Sequence, residues 1–468
     1  MTFLEYYSFD RGGTYRKRSQ GIRKSFSKKC NCPFKLQGYY SEYGWRVNVI
    51  DHTHNHDIDD VYGHAFARRF SPAEEEWVRR QYYLKLNAQG IFDGLRKEFP
   101  NNLSLIKGVH NLQKKIRNEE AQKIGNTPMQ VLLSVLQQFH YTYEYTMNVY
   151  SNRMENLFFM YPKSFEIWRA FHNVLFIDST YKTSKYGMPF VEIVGVTSTG
   201  KTFLIACEFI VNEQEANYVW VLQTLKRTLG EGWPVSLIIT DRELALMNAC
   251  RNVVSNAARQ LCRVHIRRNI IKHCEPVFKN KGTLYSFLHR WKVLIESYTI
   301  EDYITRDEAL QEYLKSYPGV YRYVSLSWLS QYKEFFVSCW VDLHLNFGQY
   351  NTNRVKSEHA LLKSHLDGKI ARPHRLVECI TRIVDSQHIA IRETFSKSKI
   401  KHNTDYDLPC FKRLHGFVSH NALEIMLQEI KRIKDDDIAG DSSHCGCKLF
   451  TSCGLPCACG LVFYVHHG

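Results

Sequence analysis

The spacing of apolar positions along the chain changes period several times. Phe34-Lys-Leu-Gln-Gly and Trp45-Arg-Val-Asn-Val-Ile alternate apolar with polar, the two-residue period of a half-buried strand, and Tyr43-Gly44 predicts a hairpin turn between them. From 71 to 125 the period becomes helical. Ser71-Pro-Ala-Glu-Glu-Glu predicts a start, with Ser as N-cap, Pro at the first position and acids in the first turn. Gly90 and Pro100 read as breaks, and Lys107 to Lys123 as the resumption. Thr127-Pro128 opens a further helix, Met129 to His140, followed by an aromatic stretch with Tyr141, Tyr143, Tyr145 and Tyr150. Strand-like apolar runs then appear at 174–178, 189–197, 202–211 and 235–241. Between the third and fourth, Val219, Leu222, Leu225 and Leu229 fall at helical spacing and Gly230 ends the helix. Arg242 to Ser255 predicts another helix. This succession predicts an α/β fold with a mixed sheet. Residues 271–340 are helical and aromatic, with Trp291, Trp328 and Trp340, and more helices are expected at 354–366, 373–397 and as a pair within 411–434.

Composition narrows the classes. The 468 residues suit two to four domains, and 44% hydrophobic with 13% aromatic content excludes a disordered chain. No apolar stretch approaches the ~20 residues needed to span a bilayer, so no membrane partner is expected. Net charge is +15, from 62 basic and 47 acidic residues, which favours a polyanionic partner because Lys and Arg release counterions from phosphates. Glu5, Asp10 and Arg11 break any early apolar run, so no secretory signal is expected and the 14 cysteines point to metal ligands or buried thiols before disulfides.

Three constellations carry chemistry. Asp178 ends the run Val174-Leu-Phe-Ile-Asp178 and Asp241 ends Leu237-Ile-Ile-Thr-Asp241. Carboxylates at strand ends emerge where open α/β sheets place ligands, and two of them suit Mg²⁺ or Mn²⁺ acting on phosphodiesters. Each aspartate alone is equally a helix N-cap. Cys32 before the hairpin and His54 and His56 after it could fold together around zinc, and the paired Cys445, Cys447, Cys457 and Cys459 have zinc-ligand spacing. Gly195-Val-Thr-Ser-Thr-Gly200-Lys201-Thr202 matches the phosphate-loop pattern of nucleotide hydrolases. That pattern needs a helix from Lys201, whereas Phe203-Leu-Ile-Ala-Cys-Glu-Phe-Ile-Val211 predicts a strand after a hairpin turn.

The chain resembles the Mutator-like element (MULE) transposases and the plant far-red-impaired-response proteins related to them. The resemblance rests on Phe176-Ile-Asp178-Ser-Thr-Tyr-Lys182, Ile239-Thr-Asp241-Arg-Glu-Leu-Ala-Leu-Met-Asn248, Cys262-Arg-Val-His265, Asn351-Thr-Asn353-Arg354 and the Gly454-Leu-Pro-Cys457 context. It implies a ribonuclease-H-like core with a helical insertion, flanked by two zinc modules: a WRKY/GCM-type finger and a SWIM-type finger. The implied division is 1–60 for the first finger, 61–170 a helical connector, 171–270 and 346–400 the two parts of the core, 271–345 the insertion, 401–440 a helical linker and 441–468 the SWIM finger. It also implies a triad of acids, beginning with Asp178 and Asp241, that cuts and joins DNA with Mg²⁺, and the family's Cys-x-x-His at Cys262 and His265. Double-stranded DNA (terminal inverted repeats or promoter DNA), a nuclear location and, for an active transposase, homo-oligomers follow as expectations.

Two positions depart from the pattern. Lys356 stands where similar sequences carry the third acid, and Glu358 lies about 200° further round a helix. Phe9 stands where relatives of the first finger carry a cysteine. Either the helix register shifts so that Glu358 serves as the third catalytic acid, or strand transfer is lost or impaired, and loss is the expectation. The alternative to a transposase is then a non-catalytic DNA-binding regulator.

Overall fold

The computed structural model describes residues 4–9, 11–14, 29–41, 44–57, 66–84, 86–123, 128–180, 187–230, 235–365, 373–401, 403–435 and 447–467. These fall into two compact units, Met1–Glu120 and Ala121–Gly468.

The first unit opens with an antiparallel sheet of β1 (Leu4–Ser8), β2 (Lys35–Ser41) and β3 (Gly44–Asp51), in that spatial order. Three helices follow: α1 (Pro72–Tyr83), α2 (Ala88–Glu98) and α3 (Ile106–Lys123). Ser71 caps α1 as expected, in a capping box with Glu74. Gly90 does not break the helical run. It lies inside α2, where Asn87 Oδ1 accepts its N–H at 2.7 Å, so the break falls before Asn87. Val78, Tyr82, Ile91, Leu95, Val109 and Leu112 close a small core between the three helices.

In the second unit α4 (Pro128–Gln138) leads into a hairpin, β4 (Thr142–Asn148) and β5 (Arg153–Met160). Helix α5 (Pro162–Ala170) follows, then β6 (Val174–Thr180), β7 (Phe190–Val196), β8 (Thr202–Phe209), α6 (Glu215–Leu229), β9 (Leu237–Thr240), α7 (Leu244–Val253) and β10 (Ala258–Leu261). The helical stretch comprises α8 (Arg263–Cys274), α9 (Lys281–Ile295), α10 (Ile300–Tyr313), α11 (Pro318–Val324), a π-turn at Ser325–Leu329, α12 (Ser330–Tyr332) and α13 (Ser338–Val341). The chain continues with α14 (Asn353–His365), α15 (Pro373–Ile400), α16 (His420–Asp435), α17 (Leu449–Cys453) and α18 (Ala458–His467).

All seven strands from β4 to β10 join one sheet in the order β10-β9-β6-β7-β8-β5-β4. Strands β10, β9 and β6 run parallel, and β6, β7, β8, β5 and β4 are successively antiparallel. The aromatic stretch after Tyr141 therefore belongs to the sheet and not to the connector expected at 61–170, since β5 pairs directly with β8. The short edge strand β10 was not foreseen. The sheet is buried on both faces. Leu175, Ile177, Val191 and Ile193 face α6 and α7, while Val174, Phe176, Phe190 and Val194 face α4, α14 and α15. The helical stretch has its own core around Trp291, Phe287, Trp328 and Phe336. The expected helix pair within 411–434 is one helix, α16, preceded by turns, and it packs with α18 through Phe411, Leu423, Met426, Ile430 and Leu461.

A strand, β8, follows Lys201, so the phosphate-loop reading fails at its structural requirement. Thr197 to Lys201 is a hairpin turn: Gly200 N–H donates to the Thr197 carbonyl, and Gly200 has φ +76°. Gly195 instead serves packing. It pairs with Phe203, and a Cβ there would lie 2.4 Å from the Phe203 ring. We expect Gly195→Ala to cost ~1–3 kcal/mol by overpacking, and Lys201→Ala in the exposed turn to stay within about 0.5 kcal/mol. Thermal melts of both variants check this; the reverse ranking would contradict it.

Candidate functional site

The register of the parallel strands builds the acidic site. Phe176 pairs with Ile239, an offset of 63 (239 − 176). Carried two residues on, the same offset puts Asp178 beside Asp241 (241 − 178 = 63). Thr240 pairs with Leu261, so Cys262 follows in the same row, its N–H donating to the Thr240 carbonyl at 2.8 Å. Asp178 thus lies two residues before the end of β6, level with Asp241 and Cys262, which directly follow β9 and β10. The sequence reading of Asp178 as a strand-ending residue is corrected, because β6 runs on to Thr180 by pairing with β7. Helix α8 starts at once after Cys262, and His265 lies in its first turn.

Cys262 and His265 have different tasks. The buried Cys262 Sγ accepts the Thr352 N–H at 3.2 Å. This holds the start of α14, together with Arg263 N–H to the Tyr350 carbonyl at 3.0 Å and Gln260 Nε2 to the Gln349 carbonyl at 2.9 Å. Thr352 Oγ1 lies 3.5 Å from Asp178 Oδ2. Arg354 ties the same segment to the hairpin turn, donating to the Gly200 carbonyl and Thr202 Oγ1, each at 2.9 Å. The next turn of α14 delivers Lys356, whose Nζ contacts His265 Nε2.

Glu358 does not face the two aspartates. It is buried on another side of α14, where Gln387 Nε2 of α15 donates to its Oε2 at 2.8 Å. Its neighbours are Glu192 and His359, and His359 Nε2 sits 3.0 Å from Glu192 Oε2. Glu192 is directly opposite Asp178 on β7. Sequence reasoning missed Glu192 and His359, and it met Thr352 only inside the Asn351-Thr-Asn353-Arg354 motif, without a role. An acid at 192 inside an otherwise apolar strand was the available signal for the first, whereas nothing in the local pattern marks His359.

Charge balance follows from this packing. Burial raises the pKa of Asp178, the Asp241 charge raises it further, and His265, His359 and Lys356 oppose the rise. Burial likewise raises Asp241, with His265 opposing. His265 is lowered, first by burial, which leaves a neutral imidazole to accept from Lys356. Lys356 is lowered by burial while Asp178 pulls it back. Magnesium wants near-octahedral oxygen ligands and usually rests on carboxylates. Here the donors are two carboxylates, an imidazole and an ammonium, and the ammonium repels a divalent ion. The set does not fit Mg²⁺ or Mn²⁺, and Glu358 is not placed to change that.

Two clusters suit zinc. Cys32, His54 and His56 bring their ligand atoms within 4.8 Å of one another, as do Cys447, Cys457 and Cys459. Thiolate and imidazole are zinc's usual donors, so these residues would hold it. Cys445 lies outside the described residues. In the first cluster Cys32 Sγ is 3.4 Å from His54 Nδ1, and Cys30 turns away, its Sγ 3.3 Å from Asn55 Oδ1. The Phe9 ring packs against both imidazoles, stacked on His56 and edge-on to His54, with centroids 5.1 Å from each. An aromatic wall thus stands on the side where the resemblance implies a cysteine.

Residues 174–269, the stretch that forms the row of strand ends, match the MULE transposase domain. This part of the chain is similar to the MULE transposases. It is similar to FAR1-RELATED SEQUENCE 5 of Arabidopsis thaliana, 26% identical over 266 residues, covering 55% of this chain and 33% of that protein. FAR-RED IMPAIRED RESPONSE 1 of the same plant is 21% identical over 373 residues, covering 77% of this chain and 44% of that protein. A PKS-NRPS hybrid synthetase, cheA of Chaetomium globosum, is 22% identical over 467 residues, covering 91% of this chain and 10% of that protein. The chain spans less than half the length of each of these relatives.

Two predictions follow from the geometry. Burial beside Glu192 raises Glu358 to about 7 from an ordinary 4.5. The folded state then holds a proton that the unfolded state has released, so the Glu358 contribution is best at low pH and declines as pH rises from about 4.5 through about 7. Glu358→Gln should flatten that limb of the stability profile, by ~3 kcal/mol at most, as denaturant titrations at pH 5 and 8 would show. An unchanged slope would mean that Glu358 is not the strained group. Metal analysis of the purified chain should find zinc, with His54→Ala and Cys457→Ser each losing about one equivalent; zinc-free wild type would contradict the ligand sets.

Proposed function

We propose that this MULE-related chain is a DNA-binding protein of transposase descent whose acidic site does not carry out metal-dependent strand transfer. One observation carries the second half: Lys356, and not Glu358, contacts His265 and feels the charges of Asp178 and Asp241. In-line displacement at phosphorus by the two-metal route needs carboxylates to hold the ions that clamp attacking and leaving oxygens. An ammonium at the third position takes up the negative charge that those ions would use.

The strand order supports a ribonuclease-H-like core, with three antiparallel strands, β8-β7-β6, continued by the parallel β9 and β10. DNA binding is supported by the net charge of +15 and by the MULE match. The two Cys/His clusters support the finger modules, WRKY/GCM-like at the first and SWIM-like at the second. As a non-catalytic DNA-binding regulator the chain would act in the nucleus on promoter-like duplex DNA. Among the described residues no helix is long and apolar enough to cross a membrane.

In a gel-shift and nicking assay with Mg²⁺ or Mn²⁺, wild type should bind duplex DNA, weakening steeply with salt, and leave it uncut. Lys356→Glu should bind comparably and gain detectable nicking. Cleavage by wild type that Asp178→Ala abolishes would sink this reading in favour of an active transposase.

A further inference from the structure

Beside the acidic row, a cavity of about 270 Å³ lies between the β9–β10 edge of the sheet and the helical stretch. Its wall includes Thr240, the residue before Asp241, and Gln260 of β10. Gln260 is 1% exposed. Its Nε2 donates to the Gln349 carbonyl, and since a carbonyl only accepts, the orientation of the amide is fixed. Oε1 is left buried without a donor. Such an acceptor is costly until a partner supplies an N–H or O–H.

The remaining wall says what that partner is. Arg251 and Arg259 line the cavity, and no acidic residue does. Tyr332 and Phe335 give it aromatic surface, with the Arg259 guanidinium 5.7 Å from the Phe335 ring centroid. Drug-sized ligands occupy roughly 300–1,000 Å³, so this space suits something smaller and planar. From these features we infer that the cavity is a nucleotide site. A single base packs against Tyr332 and Phe335, its phosphate meets Arg251 and Arg259, and a shift of the wall that uncovers Gln260 Oε1 lets one of its N–H groups donate there. The nucleotide is either an unpaired base of a DNA strand passing the acidic row or a free mononucleotide; only the first rests on the DNA-binding reading above.

The test uses the full chain and two probes. Calorimetry with the four deoxynucleoside 5′-monophosphates reports the free ligand. A duplex carrying one unpaired 2-aminopurine reports the strand-borne base, since stacking quenches its emission. Arg251 is exposed, so Arg251→Ala should fold, as circular dichroism would verify. Monophosphate binding or 2-aminopurine quenching that Arg251→Ala weakens about tenfold, one charge-assisted contact, supports the site. If the duplex is bound but neither signal appears, or if the signals persist unchanged in Arg251→Ala and Arg259→Ala, the inference is overturned while the DNA-binding reading stands. If monophosphates bind and the duplex does not, the site stands and the DNA-binding reading falls.

Discussion

Asp178 and Asp241 leave adjacent parallel strands at the same level, in a site partly closed off from water by α14. Two carboxylates held side by side under such desolvation require either protons or a cation, because burial raises both pKa values, the Asp241 charge raises that of Asp178, and Glu243 and Glu213 raise that of Asp241. The cation supplied by the chain is Lys356. Its placement is over-determined: Cys262 Sγ, the Tyr350 carbonyl and the Gln349 carbonyl fasten the segment before α14 to β10 and α8. The ammonium arrives one turn later against a neutral His265. The motif residues that resemble those of transposases thus remain as a frame, and the frame now sets a positive side chain against His265, within electrostatic reach of both acids.

Around this frame the chain keeps polar groups under strain. Glu192, Glu358 and His359 form a second buried set behind Asp178, and Glu208 is fully buried in the sheet with both carboxylate oxygens unpartnered. Burial pushes Glu208 well above the usual carboxylate range, which keeps it neutral inside an apolar layer. The Cys447/Cys457/Cys459 cluster lies in a small module with a modest core, where a bound metal's binding energy would contribute directly to folding.

Much of this was legible in the pattern of residues. The strands β6 to β9 and helices α6 and α7 follow from apolar periodicity, and Asp178 and Asp241 stood out as acids closing such runs. The zinc groups came from Cys/His spacing. What the pattern hid was long-range pairing. The β4–β5 hairpin reads as a generic aromatic stretch until β5 is seen to pair with β8. The four-residue β10 is too short to show a period. Gly90 looked like a breaker because propensity is weak beside a capping asparagine and the packing of Ile91 and Leu95. Whether Lys356 or Glu358 meets the acids depends on the rotation of one helix, which spacing alone leaves open by about 200°.

The account turns on the charge at position 356, and divalent-ion binding measures it most directly. Mn²⁺ should be followed by electron paramagnetic resonance in zinc-replete protein, comparing wild type, Lys356→Glu and Asp178→Ala. The account predicts no Mn²⁺ bound at the acidic row in wild type and one ion bound in Lys356→Glu. A bound Mn²⁺ in wild type that disappears in Asp178→Ala would contradict it.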